Sequence, residues 1–218
     1  MGYNVAIDGP AGAGKSTIAK LVAKEKGYIY VDTGAMYRGM AIHFLDKGIR
    51  AKETDKIISA LKDAEVTIRY EEGLQQVYLN GRNITDRLRE EEVGKMASLT
   101  SAIPQVRQKL LELQKGLART QDVIMDGRDI GTCVLPDADV KIYLTASVET
   151  RAKRRYDELT EKGIACDRDE IERDIKERDE RDSTREIAPL KQAEDAVLVD
   201  SSHMTIDEVV AAIVKLCR

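Results

Sequence analysis

Aromatic side chains are scarce in this 218-residue sequence, which contains no tryptophan, one phenylalanine (Phe44) and eight tyrosines. Proteins that bind single-stranded nucleic acid by base stacking present several aromatic side chains on one surface. The formal net charge of −4 also differs from the positive charge that nucleic-acid-binding domains usually carry. The composition therefore argues against a nucleic-acid partner and predicts a mainly aliphatic core.

Cysteines and long apolar runs are few as well. Cys133, Cys166 and Cys217 are far apart and show no Cys-x-x-Cys spacing, so the sequence predicts neither a disulfide framework nor a zinc site. No apolar run approaches the roughly 20 residues that cross a bilayer, and the N-terminus lacks the basic and apolar regions of a secretory signal. We therefore expect a cytoplasmic protein without a membrane partner.

The remaining composition, 42% hydrophobic and 34% charged, is that of a globular protein. A chain of this length removes roughly 70% of its unfolded surface from water on folding, so we expect a single domain over 1–218. Short apolar runs alternate with helical patterns, which is typical of an α/β fold with a parallel sheet and crossover helices. The predicted strands span 3–8, 28–31, 123–126, 140–144 and 196–199, and the predicted helices span 15–26, 35–45, 55–61, 87–99 and 104–117.

Two segments depart from this alternation. Between Val66 and Leu79 apolar and polar residues alternate, and Asn80-Gly81 follows as a turn signal, so we predict a small antiparallel β insertion here. The segment from about 149 to 186 contains 25 charged residues in 38, of which 11 are basic and 14 acidic. This density of charge predicts a solvated helical pair that acts as a mobile lid.

Residues Gly9 to Ser16 match the phosphate-loop pattern G-x-x-x-x-G-K-[ST], after a predicted strand and at the start of a predicted helix. The glycines allow backbone N–H groups to point at a phosphate, and the helix N-terminus adds positive potential. Lys15 would reach the β- and γ-phosphates of ATP, and the Ser16 hydroxyl would ligate Mg²⁺. The alternative is a glycine-rich turn that only joins strand to helix. The predicted ATP-phosphate residues are Gly9, Pro10, Ala11, Gly12, Ala13, Gly14, Lys15, Ser16 and Thr17.

A second metal-binding candidate is Asp126, at the end of the apolar run that begins at Val123. A carboxylate here suits the second magnesium-organising group of phosphate-loop enzymes, directly or through a water. Acids are common at strand ends, so the assignment depends on the phosphate loop nearby.

The type of phosphate-loop protein can be narrowed further. The sequence has no guanine-reading Asn-Lys-x-Asp segment, which argues against a GTPase switch, and it is too short for a motor or transporter ATPase with partner domains. A small kinase remains. Polar clusters at 32–38 and 126–132 follow two predicted strands, and a third cluster at 176–185 closes the charged segment. The carboxyl ends of parallel strands share one edge, so we expect the first two clusters to meet at the phosphate loop.

These motifs, in this order and together with the β insertion, resemble the bacterial cytidylate kinase family of nucleoside monophosphate kinases over the whole chain. The resemblance implies a doubly wound, five-stranded parallel sheet with helices on both faces. It also implies that the insertion, over 64–98, covers the monophosphate site and that the segment from about 149 to 186 is a helical lid. It implies transfer of the γ-phosphoryl group from Mg²⁺-ATP to CMP, and to dCMP.

The resemblance also implies roles for individual residues. Thr33, Arg38 and Arg128 would hold the acceptor phosphate, and Arg178 and Asp182 would face the ribose. The implied pyrimidine-reading residues are Ser98, Arg107 and Asp129, with Arg185 close to the nucleotide. The implied catalytic residues are Lys15, Arg128, Arg154 and Arg178, and the other basic lid residues that could reach the transferring phosphate are Arg151, Lys153 and Arg155.

Several alternatives stay open at this stage. Arg38 and Arg107 could be surface charges, and Asp182 and Arg185 could form a helical i, i+3 pair that contributes only about 0.2–0.5 kcal/mol. The acceptor could be UMP or a small hydroxylated metabolite. The protein could also bind nucleotides with little turnover. We expect a monomer because the sequence shows no heptad seam.

Overall fold

The computed structural model describes residues 2–218. The strands are β1 Asn4–Asp8, β2 Ile29–Asp32, β3 Val66–Glu71, β4 Leu74–Leu79, β5 Arg82–Asn83, β6 Val123–Gly127, β7 Val140–Thr145 and β8 Val197–Asp200. The α-helices are α1 Lys15–Lys26, α2 Thr33–Asp46, α3 Thr54–Ala60, α4 Glu91–Thr100, α5 Pro104–Thr120, α6 Val148–Glu161, α7 Arg168–Thr184 and α8 Ile206–Val214. No helix in residues 2–218 is long and apolar enough to cross a membrane.

The main sheet has five parallel strands in the order β2-β6-β1-β7-β8, which confirms the predicted sheet. Val5 and Ile7 pack with α1 and α8 on one face, whereas Ala6 and Met125 pack with α2 and α5 on the other. Central strands that are covered on both faces read as nearly continuous apolar runs. The prediction of helices on both faces is therefore confirmed.

The strand register brings the polar loops together. Asp8 of β1 lies opposite Gly127 of β6, and Asp32 of β2 lies opposite Asp126. The ends of the first, second and sixth strands consequently meet at one edge of the sheet, as expected for parallel strands.

The β insertion forms a three-stranded antiparallel sheet in the order β3-β4-β5. Gln75 attaches it to the edge of the main sheet, because its side-chain amide accepts from the backbone N of Asp32 (2.9 Å) and donates to the backbone O of Asp32 (3.1 Å). The Tyr70 hydroxyl donates to the backbone O of Tyr30 at 3.1 Å. The insertion thus satisfies the backbone of an edge strand that would otherwise be open. Its limits at 64 and 98 stay a prediction.

Three local features differ clearly from the sequence-based prediction. Helix α2 begins at Thr33 rather than Ala35, since the Asp32 carboxylate accepts from the backbone N of Ala35 at 2.9 Å and caps the helix. The predicted helix over 87–99 is a short 3₁₀ segment, Thr85–Arg89, followed by α4. A single π-helical turn, Ile130–Val134, follows β6 and was not predicted.

The charged segment folds as the helical pair α6 and α7, with the turn at Gly163 in the left-handed region (φ 69°). Most of its side chains are exposed, but Arg151, Ile175 and Asp182 are buried. The helical pair is confirmed, and its mobility stays a prediction.

Candidate active site

A cavity of about 670 Å³ opens at the carboxyl edge of the main sheet. It is lined by the phosphate loop, the N-terminus of α2, helices α4 and α5, the end of β6, the lid helices and the segment before α8. The predicted site residues that line it are Ala11, Gly12, Ala13, Gly14, Lys15, Ser16, Thr17, Thr33, Arg38, Ser98, Arg107, Asp126, Arg128, Asp129, Arg154, Arg178, Asp182 and Arg185. The fold therefore brings the separated sequence motifs to one place.

Two residues of the predicted phosphate site, Gly9 and Pro10, support the loop instead of lining the cavity. Gly9 has φ 152°, and a Cβ there would lie 1.9 Å from the backbone O of Leu144, so a larger residue would collide with β7. The backbone O of Pro10 accepts a hydrogen bond of 2.7 Å from Lys15 Nζ. The loop thereby holds its own lysine in place.

Lys15 is buried at the base of the cavity. Burial, and secondly the charge of Arg128, hold the pKa of this amine well below its usual range. Such a depression marks an ammonium group that is costly to keep charged unless an anion lies beside it. The position is suited to a phosphate.

Asp126 and Ser16 form the oxygen-rich part of the site. Ser16 Oγ donates to Asp126 Oδ2 at 2.9 Å, and the Tyr30 hydroxyl donates to Asp126 Oδ1 at 2.9 Å. Burial, with a smaller contribution from Asp32, raises the pKa of Asp126 to about 6. A hydroxyl and one carboxylate fit Mg²⁺, which binds through few protein oxygens and takes its other ligands from phosphates and water. Within residues 2–218 no cluster of three or more His, Cys, Asp or Glu side chains could hold another metal ion.

At the opposite end of the cavity Asp129 lies between two arginines. Arg107 donates to Asp129 Oδ2, and Arg185 donates to Oδ1 at 3.3 Å. The guanidinium of Arg107 also lies over the ring of Tyr37, 5.6 Å from its centroid. Ser98 Oγ is buried and has no hydrogen-bond partner in the described part of the chain. This end combines a carboxylate acceptor, two donors and a free hydroxyl.

Arg128, Arg178 and Asp182 lie between these two ends. Arg128 Nε donates to Asp182 Oδ2 at 2.9 Å. Burial raises the pKa of Asp182, but the charges of Arg128, Arg178 and Arg185 and the hydrogen bond from Arg128 together hold the pKa below its usual value. The helical pair of Asp182 with Arg185, considered from sequence, is wrong, since Arg185 donates instead to Asp129.

Arg178 carries an unsatisfied buried donor in this cavity. Its Nε atom is buried without a hydrogen-bond partner in the described residues. Burial, followed by repulsion from Arg128, lowers the pKa of its guanidinium to about 10. An unpaired buried donor costs about 1–3 kcal/mol, and more when it is charged. A bound anion would supply the missing acceptor.

Thr33 and the four basic residues of α6, which were predicted to be able to reach the transferring phosphate, have partners that bear on their predicted roles. Thr33 Oγ1 already donates to the backbone O of Asp126 at 2.7 Å, so its hydroxyl must rotate before it can donate to a phosphate. Lys153 is exposed, pairs with Asp157, and does not line the cavity, which makes it a poor candidate for the transferring phosphate.

The three arginines of α6, Arg151, Arg154 and Arg155, do line the cavity. Arg154 donates to the backbone O of Ser201 at 2.8 Å, and Arg155 pairs with the exposed Glu158. Arg151 is buried, donates to the backbone O of Ala11 at 3.0 Å, and pairs with Asp179 at 2.7 Å. Arg151 therefore links the phosphate loop to the second lid helix.

The sequence of this chain is similar to that of known proteins over nearly its whole length. The family model described as "Cytidylate kinase" matches residues 5–218. The chain belongs to the cytidylate kinase family. A curated cytidylate kinase from Caldicellulosiruptor saccharolyticus is 51% identical over 98% of this chain and 94% of its own length. Another, from Lactobacillus johnsonii, is 50% identical over 98% of this chain and 93% of its own length.

Among solved structures, an uncharacterized protein from Eubacterium ventriosum has a similar fold, with a TM-score of 0.53 and 14% identity over 98% of this chain and 96% of that chain. At this identity the likeness concerns the fold alone. The family assignment rests on the family model and on the curated relatives.

Three residues of this cytidylate kinase family member were missed as site residues by the sequence analysis. Tyr30 was interpreted only as part of a strand, because nothing near it in sequence marks Asp126 as its partner. Arg151 was considered only for the transferring phosphate. Asp8, the last residue of β1, gave no signal beyond that of a strand-terminal acid, although it is nearly inaccessible to solvent.

Proposed function

We propose that this protein transfers the γ-phosphoryl group of Mg²⁺-ATP to CMP and dCMP, giving ADP and the corresponding diphosphate. The observation that carries the proposal is a cavity that joins the phosphate loop to the Asp129 cluster and is also lined by Arg178, whose buried Nε atom has no hydrogen-bond partner in residues 2–218. A cavity of this composition suits two anionic nucleotides that bind with their phosphates facing each other.

The donor lies on the phosphate loop. The backbone N–H groups of the loop and Lys15 bind the β- and γ-phosphates, while Ser16 and Asp126 hold Mg²⁺. Magnesium neutralises the phosphate charge when it is bound. Gly9 and Pro10 contribute by keeping the loop curled.

The acceptor phosphate lies at the N-terminus of α2, where Arg38 and Arg128 supply forked donors and Thr33 a hydroxyl. An oxygen of the CMP phosphate forms a bond to the γ-phosphorus, and the bond to the β-phosphate oxygen of ADP breaks. The attacking oxygen is already ionised near neutral pH, so no general base is needed.

The protein contributes positioning and charge neutralisation to this step. Lys15, Arg128, Arg154 and Arg178 are the candidates for stabilising the equatorial oxygens. In the described conformation the Arg154 guanidinium donates to Ser201, so it must leave that partner to reach the phosphate. Arg178 Nε does not have to leave a partner, because it has no hydrogen bond to any residue in 2–218.

The base and sugar of CMP lie toward the other end. Asp129 accepts from the cytosine N4 amino group, and Arg107 donates to the cytosine acceptors, with the free Ser98 hydroxyl beside them. Uracil presents an O4 acceptor and an N3 donor, which would oppose the carboxylate and the guanidinium. Arg178 and Asp182 face the ribose, with Arg185 close to the nucleotide.

The surroundings of the molecule also form part of the proposal. We propose a monomer that acts in the cytoplasm. The cytoplasmic location is supported by the three cysteines, which are all free, as is usual in a reducing compartment. Sedimentation at micromolar concentration tests the monomer.

The test is ADP release from ATP with CMP, dCMP, UMP, AMP or no acceptor in parallel. We expect fast release with CMP and dCMP and slow release with the others. Faster release with UMP would favour the alternative acceptor. Release that is slow and independent of every acceptor would favour a nucleotide-binding protein, in which the acceptor-end arginines would have no task.

A further inference from the structure

We infer that Asp8 is a positioning residue for pyrimidine selection, because it holds the backbone that presents Asp129 to the cavity. Asp8 does not itself line the cavity. The inference rests on the proposed role of Asp129 in binding CMP.

The contacts of Asp8 are directed at the residues that follow Asp129. Asp8 Oδ1 accepts from the backbone N of Ile130 at 2.8 Å, and Oδ2 accepts from the backbone N of Gly131 at 2.7 Å. These N–H groups open the π-helical turn and have no acceptor within that turn, as is general for the first residues of a helix. The carboxylate thus caps a turn that begins 122 residues later in the chain.

Asp129 belongs neither to β6 nor to the π-helical turn, so the position of its backbone depends on contacts made by its neighbours. The backbone of Asp129 (φ −146°, ψ 27°) is neither helical nor extended, and no side-chain hydrogen bond caps the turn from within. The backbone O of Asp129 accepts from Cys133 and Val134 inside the turn. Fixing the first two N–H groups of the turn therefore fixes the peptide that carries the Asp129 side chain.

Gly131 allows the close approach. A Cβ at this position would lie 3.2 Å from Lys141 Cδ and 3.4 Å from Asp8 Oδ2. The first distance is tight, so the Lys141 side chain would have to shift by a few tenths of an ångström, and the second would place the methyl group in contact with the carboxylate. Gly131 is thus a second position from which the cap can be disturbed, without changing any charge.

A competing role for Asp8 would lie at the donor end. Asp8 is buried near Lys15, and their charges interact, so Asp8 could act mainly on the lysine of the phosphate loop. The two roles differ in what they affect. A positioning role concerns CMP and its distinction from UMP, whereas an effect through Lys15 concerns ATP.

The experiment uses Asp8→Asn and Gly131→Ala, with Gly116→Ala on α5 as the matched glycine control, since a Cβ there meets nothing within 4 Å. The equilibrium Kd values of CMP and ATP are measured separately by calorimetry, and kcat/KM is measured for CMP and UMP. If the free energy of one lost hydrogen bond to a buried N–H group appears in CMP binding, the Kd of CMP changes about tenfold. We expect Asp8→Asn to weaken CMP binding and to lower the CMP/UMP ratio by about tenfold. Gly131→Ala should change both quantities in the same direction by a smaller factor, and ATP affinity should be unchanged in both variants.

Unchanged CMP affinity and an unchanged CMP/UMP ratio in a folded variant would overturn the inference. So would a loss confined to ATP affinity, or equal losses of kcat/KM for CMP and UMP, which would indicate a structural role. If Asp8→Asn fails to fold, Gly131→Ala decides alone. A wild-type protein that binds no CMP would contradict the proposed function instead.

Discussion

The hydroxyl of Tyr30 donates a hydrogen bond of 2.9 Å to the carboxylate of Asp126. Tyr30 lies on β2 and Asp126 on β6, which are neighbours in the sheet. The second carboxylate oxygen accepts from Ser16. The proposed magnesium carboxylate is therefore oriented from both sides, and each contact comes from a different part of the chain.

Removing the Tyr30 hydroxyl should loosen that carboxylate. In Tyr30→Phe, Asp126 Oδ1 loses a buried donor, so the free energy of unfolding should fall by about 1–3 kcal/mol. The Mg²⁺ concentration for half-maximal activity should rise, because the carboxylate is less well oriented. Urea unfolding and a Mg²⁺ titration measure the two effects.

The matched control is Tyr28→Phe. The Tyr28 hydroxyl donates to the backbone O of Arg218 at an exposed position, so both quantities should stay near the wild-type values. An unaltered Mg²⁺ requirement in Tyr30→Phe would show that Tyr30 does not orient the carboxylate.

Lys15→Ala should separate activity from stability. The variant loses an electrostatic clamp on the transition state, so kcat/KM should fall by a factor that corresponds to about 3–4 kcal/mol of transition-state stabilisation. Because burial depresses the pKa of Lys15, the amine does not favour folding, and the urea midpoint should stay equal or rise. Turnover close to wild type would contradict the phosphate-loop assignment. A large drop in the urea midpoint would contradict the electrostatic part of the account.

The buried carboxyl of Asp8 predicts a pH dependence of stability. Burial raises the pKa of Asp8 to about 6 in the fold, from an ordinary value of 3.8. Between these values the unfolded chain releases the proton and the folded chain keeps it, so stability falls as pH rises. Between pH 4 and pH 7 the free energy of unfolding of the wild-type protein should fall by on the order of 3 kcal/mol more than that of Asp8→Asn. Urea unfolding of both proteins at a series of pH values checks this, and parallel curves would disagree with it.

The sequence predicts features whose determinants lie close together in the chain. The phosphate loop is one, because Gly9, Gly14 and Lys15 carry both the conformation and the charge of the site. Helix α1 is another, since its predicted limits match those observed. The buried strands were predicted for the same reason, as each is a short apolar run.

Features that depend on distant partners could not be predicted from local pattern. Asp182 lies three residues before Arg185 but pairs with Arg128, 54 residues earlier, because the fold places the end of α7 beside the residue that follows β6. The π-helical turn after Asp129 depends on the carboxylate of Asp8, which β1 places beside it. The helix predicted over 87–99 is interrupted at Glu90 (ψ 137°), and Glu91 and Glu92 then form the first turn of α4, where acidic residues favour the helix dipole.

We propose that the carboxylate of Asp129 selects cytosine over uracil at the acceptor end of the cavity. The most direct test is the ratio of kcat/KM for CMP to that for UMP, in the wild-type protein and in Asp129→Ala. A matched base contact is worth about 1–3 kcal/mol of discrimination, so the ratio should fall by about 5- to 150-fold. Most of the loss should be in the CMP reaction. If both substrates lose activity equally and the ratio stays constant, Asp129 only holds Arg107 and Arg185 in place, and the account of base selection is wrong.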